Sequence, residues 1–327
     1  MKYRHILRSF CSTPMALMPS KLEEIVGFLA MKAAGGTLSP AEIAARIGDR
    51  RETEAPLALH QIAARGGGSS RGSSIAIIPV FGVINQRMGM MSEISGGTST
   101  QRVSADLRRA LADPRVGKVI LEVDSPGGSV YGIQELADEI IKARGSKRII
   151  GVANSLAASA AFWIASSCDE LVVTPSGEVG SIGVFGIHED RSAAYAEAGV
   201  KFSLVKAGKF KAEGVDFAPL SPEAAGDMQK RVNEYYDQFT RAVAKGRGVS
   251  ESQVRNGFGE GRVVGAVEAV KLRMADRIAT LASTLERFGV KDGGAVSQAG
   301  SQRQAFASAD DEMRWRRNRA RQLGVAV

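Results

Sequence analysis

Two serines stand in a stretch built almost wholly of small residues: Asn154-Ser155-Leu156-Ala157-Ala158-Ser159-Ala160-Ala161-Phe162-Trp163. Small neighbours let a substrate backbone come close to a hydroxyl, and the stretch follows the apolar run 148–153. A helix is expected to open at about Ser159, which puts that side chain at a helix N-terminus. From residue chemistry alone Ser155 and Ser159 are both candidate nucleophiles, and tight packing of a small-residue helix start against a sheet is the plain structural reading. A second turn, Asp124-Ser125-Pro126-Gly127-Gly128-Ser129, follows the apolar run 116–123. Such a turn can direct backbone N–H groups at an oxyanion or a phosphate. Taken alone it is an ordinary glycine turn. Gly180-Ser181-Ile182-Gly183 is a third turn-rich stretch, and Lys206-Ala207-Gly208-Lys209-Phe210-Lys211 is a lysine cluster that reads first as surface charge.

A serine needs a base. Histidine is the common one, but the chain has three, His5, His60 and His188, and only His188 lies in a plausible place, with Glu189 and Asp190 beside it. A lysine made neutral by burial is the other solution.

These residues must be held by elements, and the pattern supplies them. Apolar runs at 75–84, 116–123, 148–153, 170–174 and 202–206 read as strands. Helical spacing runs over 99–111 and 131–143, then from Ser221 to about Lys245, with shorter helices at 250–256 and 264–272. Strands alternating with helices of this length predict an α/β fold whose sheet is largely parallel and covered on both faces. Ahead of this, Ser20-Lys21-Leu22-Glu23 reads as a capping box for a helix to about Ala34, and Ser39-Pro40 opens a second to about Ile47. The expected organisation is an N-terminal helical extension over 1–48, a flexible linker over 49–74, the main domain over 75–288 and a basic, poorly ordered tail over 289–327.

Composition bounds the rest. The 327 residues are 44% hydrophobic and 24% charged, as in ordinary globular proteins. The net charge of +8 is weighted to the end, where Arg314, Arg316, Arg317, Arg319 and Arg321 crowd together. This reads as a solvated arm before it reads as a nucleic-acid surface. The two cysteines, Cys11 and Cys168, have no metal spacing and suit a reducing compartment. The N-terminus has no uninterrupted apolar segment of signal-peptide type, and no run is long enough to cross a bilayer, so a cytoplasmic protein is expected.

Taken together and in order, these motifs resemble peptidase family S49, the signal peptide peptidase A type, over about residues 73–285. Asp124-Ser125-Pro126-Gly127-Gly128 is similar to the family's oxyanion turn, Ser155 to Ser159 to its nucleophile motif, Gly180 to Gly183 to the turn that holds the lysine, and Ala207 to Lys211 to the segment of the base. Gly261 to Ala266 and Met274 to Ile278 resemble its closing motifs. The resemblance implies a ClpP/crotonase-like fold and a Ser–Lys endopeptidase. Ser159 would be the nucleophile, Lys211 the base, Gly127, Gly128 and Ala160 the oxyanion or substrate-binding positions, and Ser181 a partner of the lysine. No metal or other cofactor is implied. The sequence departs from the family after the nucleophile, where Ala160-Ala161-Phe162 stands in place of two glycines and an aromatic.

The opening segment, with Ser12-Thr13-Pro14-Met15-Ala16, resembles the phage-encoded branch, the minor capsid protein C or head maturation protease type. That branch implies capsid, scaffold or portal proteins as substrates, in the host cytoplasm or the prohead. It also implies homo-oligomers, rings among them, in which a dyad can be completed between neighbours, but in the single-domain branch Ser159 and Lys211 are expected to meet within one subunit. Rival readings are a cytosolic signal-peptide-peptidase-like protease, a CoA-dependent hydratase or isomerase of the same broad fold, and a structural capsid-associated protein with a vestigial dyad.

Overall fold

The computed structural model describes residues 13–33, 58–61, 72, 74–87 and 97–290. The expected helix at 40–47, the basic tail beyond 290 and most of the linker lie outside the described residues. In chain order the elements are β1 (Met15–Leu17), α1 (Pro19–Ala33), β2 (Ala58–Gln61), β3 (Ser74–Phe81), β4 (Val83–Asn85), β5 (Gly97–Ser99), α2 (Thr100–Ala112), β6 (Val116–Ser125), β7 (Gly127–Ser129) and α3 (Ile133–Ala143). Then come β8 (Arg148–Ala158), α4 (Ala160–Ser166), β9 (Glu170–Val173), β10 (Glu178–Gly180), α5 (Ser192–Glu197), α6 (Pro222–Arg247), α7 (Glu251–Gly257), β11 (Val263–Gly265), α8 (Ala266–Lys271), β12 (Arg277–Ile278) and α9 (Leu281–Arg287).

The main sheet has β3, β6, β8 and β9 in parallel order, with β2 antiparallel at the β3 edge. β8 has two parallel partners on one side: residues 150–153 pair with β9 and residues 156–158 with β10. Side chains alternate faces along each strand. Ala76, Ile78, Val119 and Leu121 enter the large core beneath α2, α3, α4 and α6. Ile75, Ile77, Ile120, Ile150 and Val152 enter a smaller one closed by Leu281, Leu285 and Phe288 around α9. Burial on both faces explains why these strands read as continuous apolar runs. This is an α/β fold with a mostly parallel sheet flanked by helices, as the alternation of strand and helix predicts. A second, four-stranded sheet in the order β1-β7-β4-β5 sits at the end of β6.

Local signals placed three helix starts. Ser99 caps α2 by accepting from Arg102 N–H, Ser221 caps α6 through Ala224 N–H with proline at the first helical position, and Ser250 caps α7 through Gln253 N–H.

Several expectations fail. Residues 202–206 form no strand; Phe202 is 50%, Leu204 51% and Val205 97% exposed. An apolar run alone cannot pair without a free sheet edge beside it. Residues 58–61, inside the expected flexible linker, form β2 against β3. Helix α1 starts at Pro19, so Ser20 lies inside its first turn and the Met18 carbonyl accepts from Lys21 and Leu22 instead of a Ser20 cap. Val290, placed at the start of the tail, is buried against the sheet. Residues 13–33 pack onto the main body: β1 pairs with β7, and Met15, Leu17 and Ile25 share a buried cluster with Val83.

Candidate active site

β6 and β8 run side by side until Val123↔Ala153, after which the register jumps to Ser125↔Ala157. The extra length on β8 is a bulge at 154–156, and Ser155 sits in it, exposed and with φ of 111°. Ser159 follows at the junction of β8 and α4. It is 1% exposed, with φ 58° and ψ −120°. A non-glycine residue rarely adopts this conformation, and strand–turn–helix elbows of this kind are how folds present a nucleophilic serine. The backbone is held there from both sides. Ser159 N–H donates to the Gly180 carbonyl at 2.7 Å, and the Ser159 carbonyl accepts from Trp163 N–H at 3.0 Å. The side chain, in contrast, is unengaged: Oγ is buried and has no hydrogen-bond partner. A buried polar group left unpaired costs about 1–3 kcal/mol, so such an atom calls for an explanation. Burial and elbow geometry thus separate Ser159 from Ser155.

The elbow is anchored from the far end of α4. All seven residues of that helix are buried, and Trp163 stacks on Phe239 of α6 with centroids 4.6 Å apart. The Arg144 guanidinium donates to the carbonyls of Ser167 (2.8 Å), Ser166, Cys168 and Gly246, satisfying the open C-terminal end of α4 and tying it to α6. The Cys168 thiol sits in the same wall, and burial pushes it up to about 12, so it stays protonated and inert. Sequence reasoning missed Arg144, since nothing in the local pattern marks it.

The glycine turn lies against the serine. A Cβ built on Gly127 would fall 2.9 Å from Ser159 Cβ and 2.3 Å from the Ala16 carbonyl oxygen; on Gly128 it would fall 1.9 Å from the Ile84 carbonyl oxygen. Only glycine fits either place, and Gly127 also has φ of 96°. Gly127 N–H is taken by the Ser125 hydroxyl at 3.1 Å, itself bonded to the Gly82 carbonyl. Gly127 is therefore a spacer here and not a free donor, while Gly128 stands opposite Ala16 of β1 in the smaller sheet. Ala160, first residue of α4, has no acceptor for its N–H within the helix. Ser181, buried and at φ 54°, continues the turn after β10, its N–H held by the Arg262 carbonyl.

Lys211 differs from them in burial. Every residue from Val200 to Lys211 is exposed, and Lys211 joins no hydrogen bond with Ser159. Nearby, Lys209 pairs with Glu223 and Lys206 Nζ donates to the Lys209 carbonyl. His188, the other conceivable base, is spent on the Ala218 carbonyl at 3.2 Å. The described residues thus gather Ser159, Gly127, Gly128, Ala160 and Ser181 into one place, with Lys211 exposed and not hydrogen-bonded to the serine. No group of three or more His, Cys, Asp or Glu side chains among them is arranged to hold a metal ion, and no described helix is long and apolar enough to cross a membrane.

Residues 142–292, which carry β8, α4 and everything after them to α9, match the model of peptidase family S49. It is similar to the head-tail preconnector protein GP5 of Enterobacteria phage P21, 37% identical over 182 residues, which are 56% of this chain and 36% of that protein. It is also similar to the capsid assembly protease C of Escherichia phage lambda, 31% identical over 206 residues, 63% of this chain and 46% of that one. A putative signal peptide peptidase SppA of Enterococcus faecium is 31% identical over 179 residues, 54% of this chain and 52% of that one. The chain therefore spans between about a third and a half of the length of these relatives.

Proposed function

We propose that this chain is a serine endopeptidase in which Ser159 attacks the peptide carbonyl and Lys211 serves as general base. The observation that carries the reading is the state of Ser159: buried, strained into a strand–helix elbow, its Oγ without a partner and the glycine turn pressed against its Cβ. In the reaction the Oγ proton passes to Lys211 Nζ as the Oγ–carbon bond forms. The N–H groups of Gly128 and Ala160 hold the oxyanion, an interaction whose loss typically costs about 10²–10³ in rate. Lys211 then returns the proton to the leaving amine as the C–N bond breaks, and water, deprotonated by the same lysine, releases the acyl group.

A lysine can act in this way only when desolvated. Phe202, Leu204, Val205 and Phe210 surround its segment with exposed apolar surface of the kind that self-association covers. We infer that assembly of copies buries this segment and delivers Lys211 to a serine site, its own or a neighbour's. The names of the phage relatives support capsid-related polypeptides as substrates, and the proposal has them cut next to small or apolar residues, in the host cytoplasm or the prohead.

The test is co-expression of the chain with phage capsid, scaffold and portal proteins, followed by intact-mass analysis. Wild type should produce fragments that Ser159→Ala does not. Identical masses with particles still assembling would favour a structural role, the reading to which the exposed Lys211 lends support.

A further inference from the structure

The slot beside Ser159 is filled by the chain itself. β1 pairs antiparallel with β7 in the register Met15↔Ser129, Ala16↔Gly128, Leu17↔Gly127. Val130 N–H donates to the Pro14 carbonyl at 3.3 Å and Met18 N–H to the Pro126 carbonyl at 3.0 Å, so 14/130 and 18/126 are hydrogen-bonded pairs. Bonded and non-bonded pairs alternate along an antiparallel ladder, which makes Ala16/Gly128 the bonded pair between them and puts the Gly128 N–H on the Ala16 carbonyl. On its other edge Met15 exchanges both main-chain bonds with Phe185, at 2.9 and 3.0 Å. One extended segment, buried at all three residues, therefore lies between the glycine strand and Phe185. Its Ala16 carbonyl is pressed on Gly127, which in turn abuts Ser159.

A polypeptide substrate needs this same position. Its scissile carbonyl has to reach Ser159 and its oxyanion the Gly128 N–H, and an extended backbone docks on a strand edge through main-chain bonds of this kind. We propose that Met15–Leu17 is a resident competitor for the substrate slot, which a substrate strand enters only by displacing it. The proposal rests on the reading of Ser159 as nucleophile and Gly128 as oxyanion donor. The strap is short and its ladder ends early, because Pro14 and Pro19 have no N–H to give. Met15 and Leu17 turn to the cluster with Ile25 of α1, so α1 moves with the strap. Ala16, alone, turns to the main core beside the elbow, where only a small side chain stands opposite Gly128. The substrate residue that takes this register is correspondingly small.

A disulfide lock tests the idea in the full chain. Met15 and Ser129 are an opposed, non-hydrogen-bonded pair, the type whose Cα atoms lie about 4.5 Å apart, within reach of a disulfide. The variant Met15→Cys/Ser129→Cys, with Cys11→Ser to avoid mispairing, should cleave substrate at least tenfold more slowly when oxidised than after reduction. Equal rates in the two states would overturn the proposal. A second readout does not depend on catalysis. In Ser159→Ala, a synthetic peptide spanning residues 12–20 should raise amide exchange over residues 15–18 with increasing concentration, and should do nothing to the oxidised lock. No change in exchange would count against the strap whatever the activity. Displacement by peptide without cleavage in any form would uphold the strap and remove the peptidase reading.

Discussion

From Ala157 to Cys168 every residue is buried; from Val200 to Lys211 every residue is exposed. The first stretch carries the serine and the second the lysine that the proposed chemistry must join. Around Ser159 the backbone is fixed by Gly180, by the glycine turn and by the four carbonyls gathered on Arg144, so its position is a property of the folded core. The lysine segment has ring contacts of its own, with Phe202 stacked on Phe217 at 4.5 Å and edge-on to Tyr195, yet it buries little. The contrast separates two jobs. The elbow is preorganised by packing within one chain, whereas the proposed base lies on a segment that the described fold leaves exposed.

Substitutions sharpen this division, because stability should respond in the first region and not in the second. Gly128→Ala drives a methyl group into the Ile84 carbonyl and should have the largest effect, about 3 kcal/mol or more in urea unfolding, since backbone is the obstacle. Arg144→Ala strips donors from carbonyls at the end of α4 and at Gly246, and should cost about 2 kcal/mol while raising amide exchange in α4. Unchanged stability there would show that the elbow does not lean on α4.

Acid tests the core from another side. Glu170 is buried; burial pushes its carboxyl up, but Arg277, Arg148 and Arg287 outweigh that and hold it below the ordinary value of 4.5. A depressed carboxylate contributes stability that is fully present above pH 4.5 and lost as pH falls through the folded-state value. Thermal melts should therefore drop below about pH 4.5, and less steeply in Glu170→Gln. The smallest effect on the monomer belongs to the other region. Phe202→Ser with Leu204→Ser should change unfolding by no more than about 0.5 kcal/mol, yet reduce both sedimentation mass and cleavage. A large loss of monomer stability would mean that the segment is already part of the core.

How far the sequence reveals all this follows the same line. The four parallel strands and the helix starts at Ser99, Ser221 and Ser250 were legible, because each rests on local pattern or a local cap. So was the juxtaposition of the two turns with Ser159, through the resemblance carried by their glycines. The strand expected at 202–206 was not realised, since apolar spacing says nothing of whether a sheet edge is at hand. β1 went unread for the opposite reason: four apolar residues between two prolines, Pro14 and Pro19, are too few to show a period. Arg144, far in sequence from the carbonyls that it binds, left no local sign.

The most direct test of the account is the cleavage rate of Lys211→Met beside that of Ser159→Ala, in chains shown by their melts to be folded. The account predicts that both fall by at least about 10³-fold, as residues that act as a unit do. Lys211→Met cutting at the wild-type rate would contradict it, and would send the search for the base back to the other groups around Ser159.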